Sequence, residues 1–193
     1  MGALTSALDF LLTTLFQLYI AVMLLRFLLQ WARADFYNPL SQFIVKATTP
    51  LVRPLRRVIP GFGGWDIATL VAAYLLTVLQ VALAGTQISQ YQIPGLLDGH
   101  TLQPFTIALV SLVDMFALTI GIFLVAIIIQ AVSSWFASGA YNPVTTLLFS
   151  ITEPLLRPAR RLLPPISGID LSPLLVLLAL QVLKMVVIGL VLG

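Results

Sequence analysis

The chain has 193 residues, of which 60% are apolar and 9% charged, against about 25% charged in a soluble domain. So little charge cannot coat a water-facing surface, which excludes an ordinary soluble fold. Cysteine is absent and His100 is the single histidine, which excludes disulfides, thiolate metal sites and cysteine nucleophiles.

Four apolar stretches, roughly 4–30, 67–85, 105–136 and 171–193, each reach the ~20 residues that cross a hydrocarbon core of about 30 Å as a helix. They show none of the alternation of a β-barrel. The first has no basic leader region and no small-residue cleavage site after it, so a retained span is expected rather than a signal peptide.

Between the first and second spans comes a basic segment, residues 31–66. Asn38 is a good N-cap and Pro39 suits the first helical position. Leu40, Phe43, Ile44 and Ala47 then recur at helical spacing, which predicts a short amphipathic helix lying at the membrane interface. Pro50 is expected to end it, because proline cannot donate the next helical hydrogen bond. A second short helix is expected to follow, with Pro54 inside it, Arg53, Arg56 and Arg57 on one face, and Pro60 closing it. Asp66 stands where a carboxylate caps the second span. Gly61-Phe62-Gly63-Gly64 fits no nucleotide fingerprint. Residues 86–104 link the two halves.

The second half repeats the first at a shift of 104 residues. Asn142, Pro143, Pro154, Arg157, Pro158, Arg160, Arg161, Pro164 and Asp170 fall on the residues just named, and 14 of the 36 positions between Trp31 and Asp66 are identical. Val144, Leu147, Leu148 and Ile151 repeat the amphipathic spacing. Trp31 with Tyr37, and Trp135 with Tyr141, fit interfacial anchors. Two repeats result, 1–85 and 105–193, each with two spans around a basic segment (31–66 and 137–170). Both therefore enter the membrane in the same sense.

Eight of the ten Lys/Arg fall in the two basic segments, and none at the termini or between spans two and three. Short basic loops stay cytoplasmic, so both termini and 86–104 are expected outside. This distribution accounts for the net charge of +3 without nucleic acid. The expected fold is an all-α membrane protein of four transmembrane helices in two parallel tandem repeats.

The doubled pattern Asn-Pro … Thr-x-Pro-Leu-x-Arg-Pro-x-Arg-Arg-x-x-Pro … Gly-x-Asp, at 38–66 and 142–170 between pairs of apolar helices, resembles the YggT family, also called YlmG. The resemblance covers essentially the whole chain. It implies a bacterial inner-membrane or plastid-membrane protein without established catalytic activity. Links to osmotic stress and potassium uptake, to cell division, and in plastids to nucleoid organisation and b-type cytochrome assembly come with it, and they do not converge on one mechanism.

The arginine triads have two readings: a site for anionic lipid or an acidic partner, or interfacial anchoring alone. The prolines and Asn-Pro pairs read as helix starts, stops and turns. Within the spans, Asp114 and Lys184 lie roughly 14 Å and 20 Å from opposite faces, hence at one level, where pairing would relieve the cost of buried charge. The repeat places Gln80 at the position of Lys184, and Asp9 one residue from the match to Asp114. No catalytic constellation and no cofactor site is present. Two functions follow as expectations: a non-catalytic scaffold or assembly factor whose partners are anionic lipids, other membrane proteins or copies of itself, or a component or regulator of ion (potassium) uptake and the osmotic stress response.

Overall fold

The computed structural model describes residues 3–59, 61, 64–84, 104–135, 142–162 and 170–192. These form six helices: α1 Ala3–Trp31, α2 Pro39–Val58, α3 Ile67–Ala84, α4 Pro104–Trp135, α5 Pro143–Leu162 and α6 Ser172–Leu192. No β-strand occurs among the described residues. α1 packs on α3 and α4 on α6, α3 lies against α4, and α2 and α5 each rest on the two long helices of their own half. The bounds of α2 and α5 differ by the same 104 residues as the sequence repeat.

α1, α4 and α6 contain three stretches long and apolar enough to cross a membrane: Ser6–Trp31, Pro104–Ser133 and Ser172–Val191. In α3 the apolar stretch Ile67–Leu83 is shorter. Phe10, Leu15 and Leu190 are more than 60% exposed; so apolar an outer surface suits lipid rather than water. Inside, Ile20, Met23 and Leu24 of α1 meet Val52 of α2 and Ala68, Ala72 and Ala73 of α3. The three alanines leave room for close backbone approach, which drives helix association in lipid, where apolar burial alone gives little. A second cluster joins Ile120, Phe123 and Ile127 to Leu147, Ile151, Leu156 and Val176, and takes in Leu28 and Leu29 of α1. The two halves thus share one core at the end of α1.

The basic segments correct the sequence reading. α2 and α5 each run unbroken through two prolines, Pro50 and Pro54, and Pro154 and Pro158. Pro50 and Pro154 therefore do not end a first short helix. Each proline leaves the carbonyl four residues earlier without its donor. The four-residue spacing stacks those gaps on one face, and all four prolines are exposed, so the orphaned carbonyls face outward. The opposite face, with Thr48 and Val52, or Thr152 and Leu156, is buried. Pro60 and Pro164, expected as closing residues, lie outside the described residues.

Asn38 caps α2: its side chain accepts from the Leu40 N–H, and Pro39 occupies the first turn, where no donor is needed. Asn142 does the same for Val144 at 2.9 Å. Asn38 does more, donating from Nδ2 to the Pro143 carbonyl at 2.8 Å and so tying α2 to the start of α5.

Candidate functional site

Arg26, Arg56 and Asp66 converge where α1 meets α2 and the start of α3. Arg26, one and a half turns from the end of α1, is 6% exposed. A charge in an apolar helix is costly unless satisfied, and this one is satisfied by the neighbouring helix. Its Nη1 donates to Thr48 Oγ1 at 2.8 Å and to the Val45 carbonyl at 3.3 Å. Its Nε lies 3.5 Å from Asp66 Oδ2. Arg56 grips the same carboxylate with Nε and Nη2. Thr69 adds a hydroxyl donor at 2.6 Å and its backbone N–H, so Asp66 also caps α3. Burial alone would raise the Asp66 carboxyl, but the hydrogen bonds from Arg56 and Thr69 and the two guanidinium charges hold it below the usual carboxylate range.

Beside this cluster is a cavity of about 340 Å³ whose lining includes Arg26, Gln30, Arg33, Ser41 and Arg56. Arg33 adopts φ 51°. Its N–H bonds to Gln30 O and that of Ala34 to Leu29 O, which is the Schellman ending of a helix, with Arg33 at the left-handed position usually given to glycine. Gln30 reaches across to the Gly64 carbonyl at 2.8 Å.

The second half builds a weaker counterpart. The 104-residue shift puts Gln130 at the position of Arg26, and Thr152 donates to its Oε1. Arg160 bonds Asp170 at 3.0 Å, and also Glu153, which replaces Thr49, at 2.7 Å. Asp170 caps α6 through the Ser172 N–H at 2.9 Å. Burial opposes charge on both groups. Hydrogen bonds and mutual attraction outweigh it, lowering the Asp170 carboxyl and raising Arg160. These side chains are about one third exposed, whereas Asp66 is 3% exposed.

Each arginine triad is thus divided. Arg56, itself half-exposed, and Arg160 each bond a carboxylate, whereas Arg53, Arg57, Arg157 and Arg161 are exposed on the outer faces. Within the spans, Asp114, Lys184 and Gln80 line one cavity of about 280 Å³ with Gln17 and Thr77. Asp9 is exposed on α1 and does not line that cavity. The first half contributes Gln17 there instead. Trp31 meets Phe123 edge-on at 6.2 Å and Tyr37 is exposed; Tyr141 and the Trp135 side chain lie outside what is described. Sequence reading missed the roles of Arg26, Thr48 and Gln130. The signal was available: an arginine inside an apolar span needs a partner, and Arg26 precedes Thr48 by the 22 residues that separate Gln130 from Thr152.

Long apolar helices, two amphipathic helices and ion pairs gathered at one end define a helical membrane protein. The chain belongs to the CCB3/YggT family, whose model matches residues 5–87 and again 109–191. Both ends of the two matches are 104 residues apart. The chain is 45% identical to an uncharacterised protein of Pseudomonas aeruginosa, over 98% of this chain and 92% of that one. It is 40% identical to the uncharacterised protein YggT of Escherichia coli K12, over 93% and 88%. A Haemophilus influenzae relative, also uncharacterised, is 34% identical over 84% and 81%. No solved structure matches.

Proposed function

We propose that this chain is a non-catalytic, four-span scaffold of the bacterial inner membrane whose basic end faces the cytoplasm and holds anionic lipid, through which it gathers other membrane proteins or further copies of itself. The apolar stretch of α3, Ile67–Leu83, falls at the lower limit of the ~17–25 residues of a spanning helix, which supports a fourth span. The segregation of Lys/Arg supports the orientation. With two spans per repeat, the halves run parallel about an axis normal to the membrane.

One observation carries the lipid reading: the outer faces of α2 and α5 mix exposed apolar and cationic side chains. Phe43, Leu51 and Val58 stand with Lys46, Arg53 and Arg57, and Val144, Phe149 and Leu162 with Arg157 and Arg161. Such faces suit the boundary of acyl chains and anionic headgroups. The test is the quadruple variant R53Q/R57Q/R157Q/R161Q, scored for total phosphatidylglycerol retained per protein after detergent extraction. Retention should fall severalfold; unchanged retention contradicts lipid binding by these faces.

A second reading, participation in ion uptake, rests on the cavity shared by Asp114, Lys184 and Gln80. Potassium flux through the purified protein in liposomes, abolished by D114N, would favour it. Absence of flux favours the scaffold.

A further inference from the structure

Among the described residues, the carboxylates leave the Arg26 cluster short of negative charge. Glu153 and Asp170 are taken by Arg160. Asp35 is exposed and accepts from the Tyr37 N–H. Asp9 and Asp114 sit toward the opposite ends of α1 and α4, and Asp98 falls between the second and third spans. Among the described residues Asp66 alone serves Arg26, and it is already gripped by Arg56. Both guanidinium groups approach the same oxygen, Oδ2, which also accepts from Thr69. Among the described residues one positive charge is therefore left over, shared between the buried Arg26 and the half-exposed Arg56.

The surplus charge has a place to be met. Arg26 and Arg56 both line the cavity of about 340 Å³, and Arg33 adds a third guanidinium to its wall. That volume falls in the ~300–1,000 Å³ of small-ligand sites. Gln30 and Ser41 supply neutral polar groups beside the cations. Arg33 also holds a left-handed conformation, φ 51°, that glycine would adopt without strain; side chains kept at such positions point to a role beyond folding. The second half does not repeat the three arginines. There Gln130 replaces Arg26, Ala137 replaces Arg33, and Glu153 adds a carboxylate, so two acids face one arginine.

We propose that the cavity between the end of α1 and α2 is a binding site for a single phosphate-bearing anion, held by Arg26, Arg33 and Arg56, with a phospholipid headgroup as its source. Guanidinium forks match phosphate oxygens in shape as well as charge. The site deepens the lipid reading above. It does not depend on the outward arginines, so the two stand or fall separately.

The test uses the full chain in neutral detergent and native mass spectrometry, with phosphatidylglycerol, phosphatidylcholine or inorganic phosphate added in separate arms. One phosphatidylglycerol adduct per chain should survive activation that strips the rest, and phosphatidylcholine should give none. Arg26→Gln copies the residue that the second half uses beside its own threonine, so the Thr48 contact has a precedent. This variant should weaken the surviving adduct about tenfold, the scale of one lost charge-assisted contact. Arg33→Gln removes an exposed cation and should do the same even if Arg26→Gln folds poorly. Displacement of the adduct by inorganic phosphate would assign the site to free phosphate; resistance assigns it to the lipid. R53Q/R57Q/R157Q/R161Q should keep the single adduct while losing bulk lipid. A surviving adduct insensitive to both Arg26→Gln and Arg33→Gln, or one lost only in the quadruple variant, overturns the site.

Discussion

Arg26 Nε lies 3.5 Å from Asp66 Oδ2, inside a cluster where Arg26 is 6% and Asp66 3% exposed. The matching pair of the second half is Gln130 and Asp170, and there the aspartate is 37% exposed. One motif therefore gives a buried ion cluster in one repeat and an accessible pair in the other.

This difference sets unequal costs for one substitution. Asp66→Ala leaves two guanidinium groups around an empty place and should destabilise by about 3–5 kcal/mol, the range for breaking a buried pair. Asp170→Ala removes a partly exposed pair and should cost about 0–1 kcal/mol, plus roughly 1 kcal/mol for the lost cap. Unfolding midpoints in one detergent read both. Equal losses would show that burial of the first cluster has no energetic consequence.

Acid should weaken the fold. The Asp66 and Asp170 carboxyls both lie below their ordinary range, since the hydrogen bonds and positive charge around them outweigh burial. Their contribution is complete above the unfolded value, about 3.9, and is lost as pH falls through the lower folded values. Unfolding midpoints measured between about pH 7 and pH 2 should therefore drop below about pH 4. Asp66→Asn should flatten that drop more than Asp170→Asn. A wild-type profile that is flat to the acid limit contradicts the ion-pair assignment.

How far the sequence is legible follows from which signals are local. Helix bounds are legible because apolar length and the Asn-Pro starts are local: α2 begins at Pro39, where the N-cap pattern puts it. The unbroken course of α2 through Pro50 is not. A proline's effect depends on whether the carbonyl it orphans faces outward, and only the three-dimensional placement of Pro50 and Pro54 on one exposed face decides that. Asp114, Lys184 and Gln80 meet at one cavity because depth can be counted along a helix. Rotation about the axis cannot be counted so readily, and Asp9 points outward. Arg26 is visible as an intramembrane charge, yet its partners stand 22 and 40 residues away, beyond any local pattern.

Arg33→Gly separates stability from binding. Leaving the left-handed conformation to glycine relieves about 1–2 kcal/mol, offset by about 0.4–1 kcal/mol of added freedom in the unfolded chain. The variant should unfold slightly later than wild type while retaining less phosphatidylglycerol. A variant that is less stable would show that the Arg33 side chain supports the fold itself.

Orientation can be read from the linker. Residues 86–104 carry no Lys or Arg and should face outward. A cysteine replacing His100, in a chain that has none, should react with an impermeant maleimide added to intact spheroplasts. Labelling only after lysis would place the basic end on the wrong side of the membrane for the proposed role.

The most direct measurement of lipid binding at the basic end is the thermal midpoint of the full chain in nanodiscs as phosphatidylglycerol replaces phosphatidylcholine. A ligand that binds only the folded state stabilises it by mass action. A lipid concentration about tenfold above Kd corresponds to about 1.4 kcal/mol, or roughly 3–6 °C for a chain of this size. The midpoint should rise with phosphatidylglycerol and level off. The rise should shrink in R53Q/R57Q/R157Q/R161Q and shrink further when Arg26→Gln is added. A midpoint that stays the same in both lipids, for the wild type and every variant, would contradict the account.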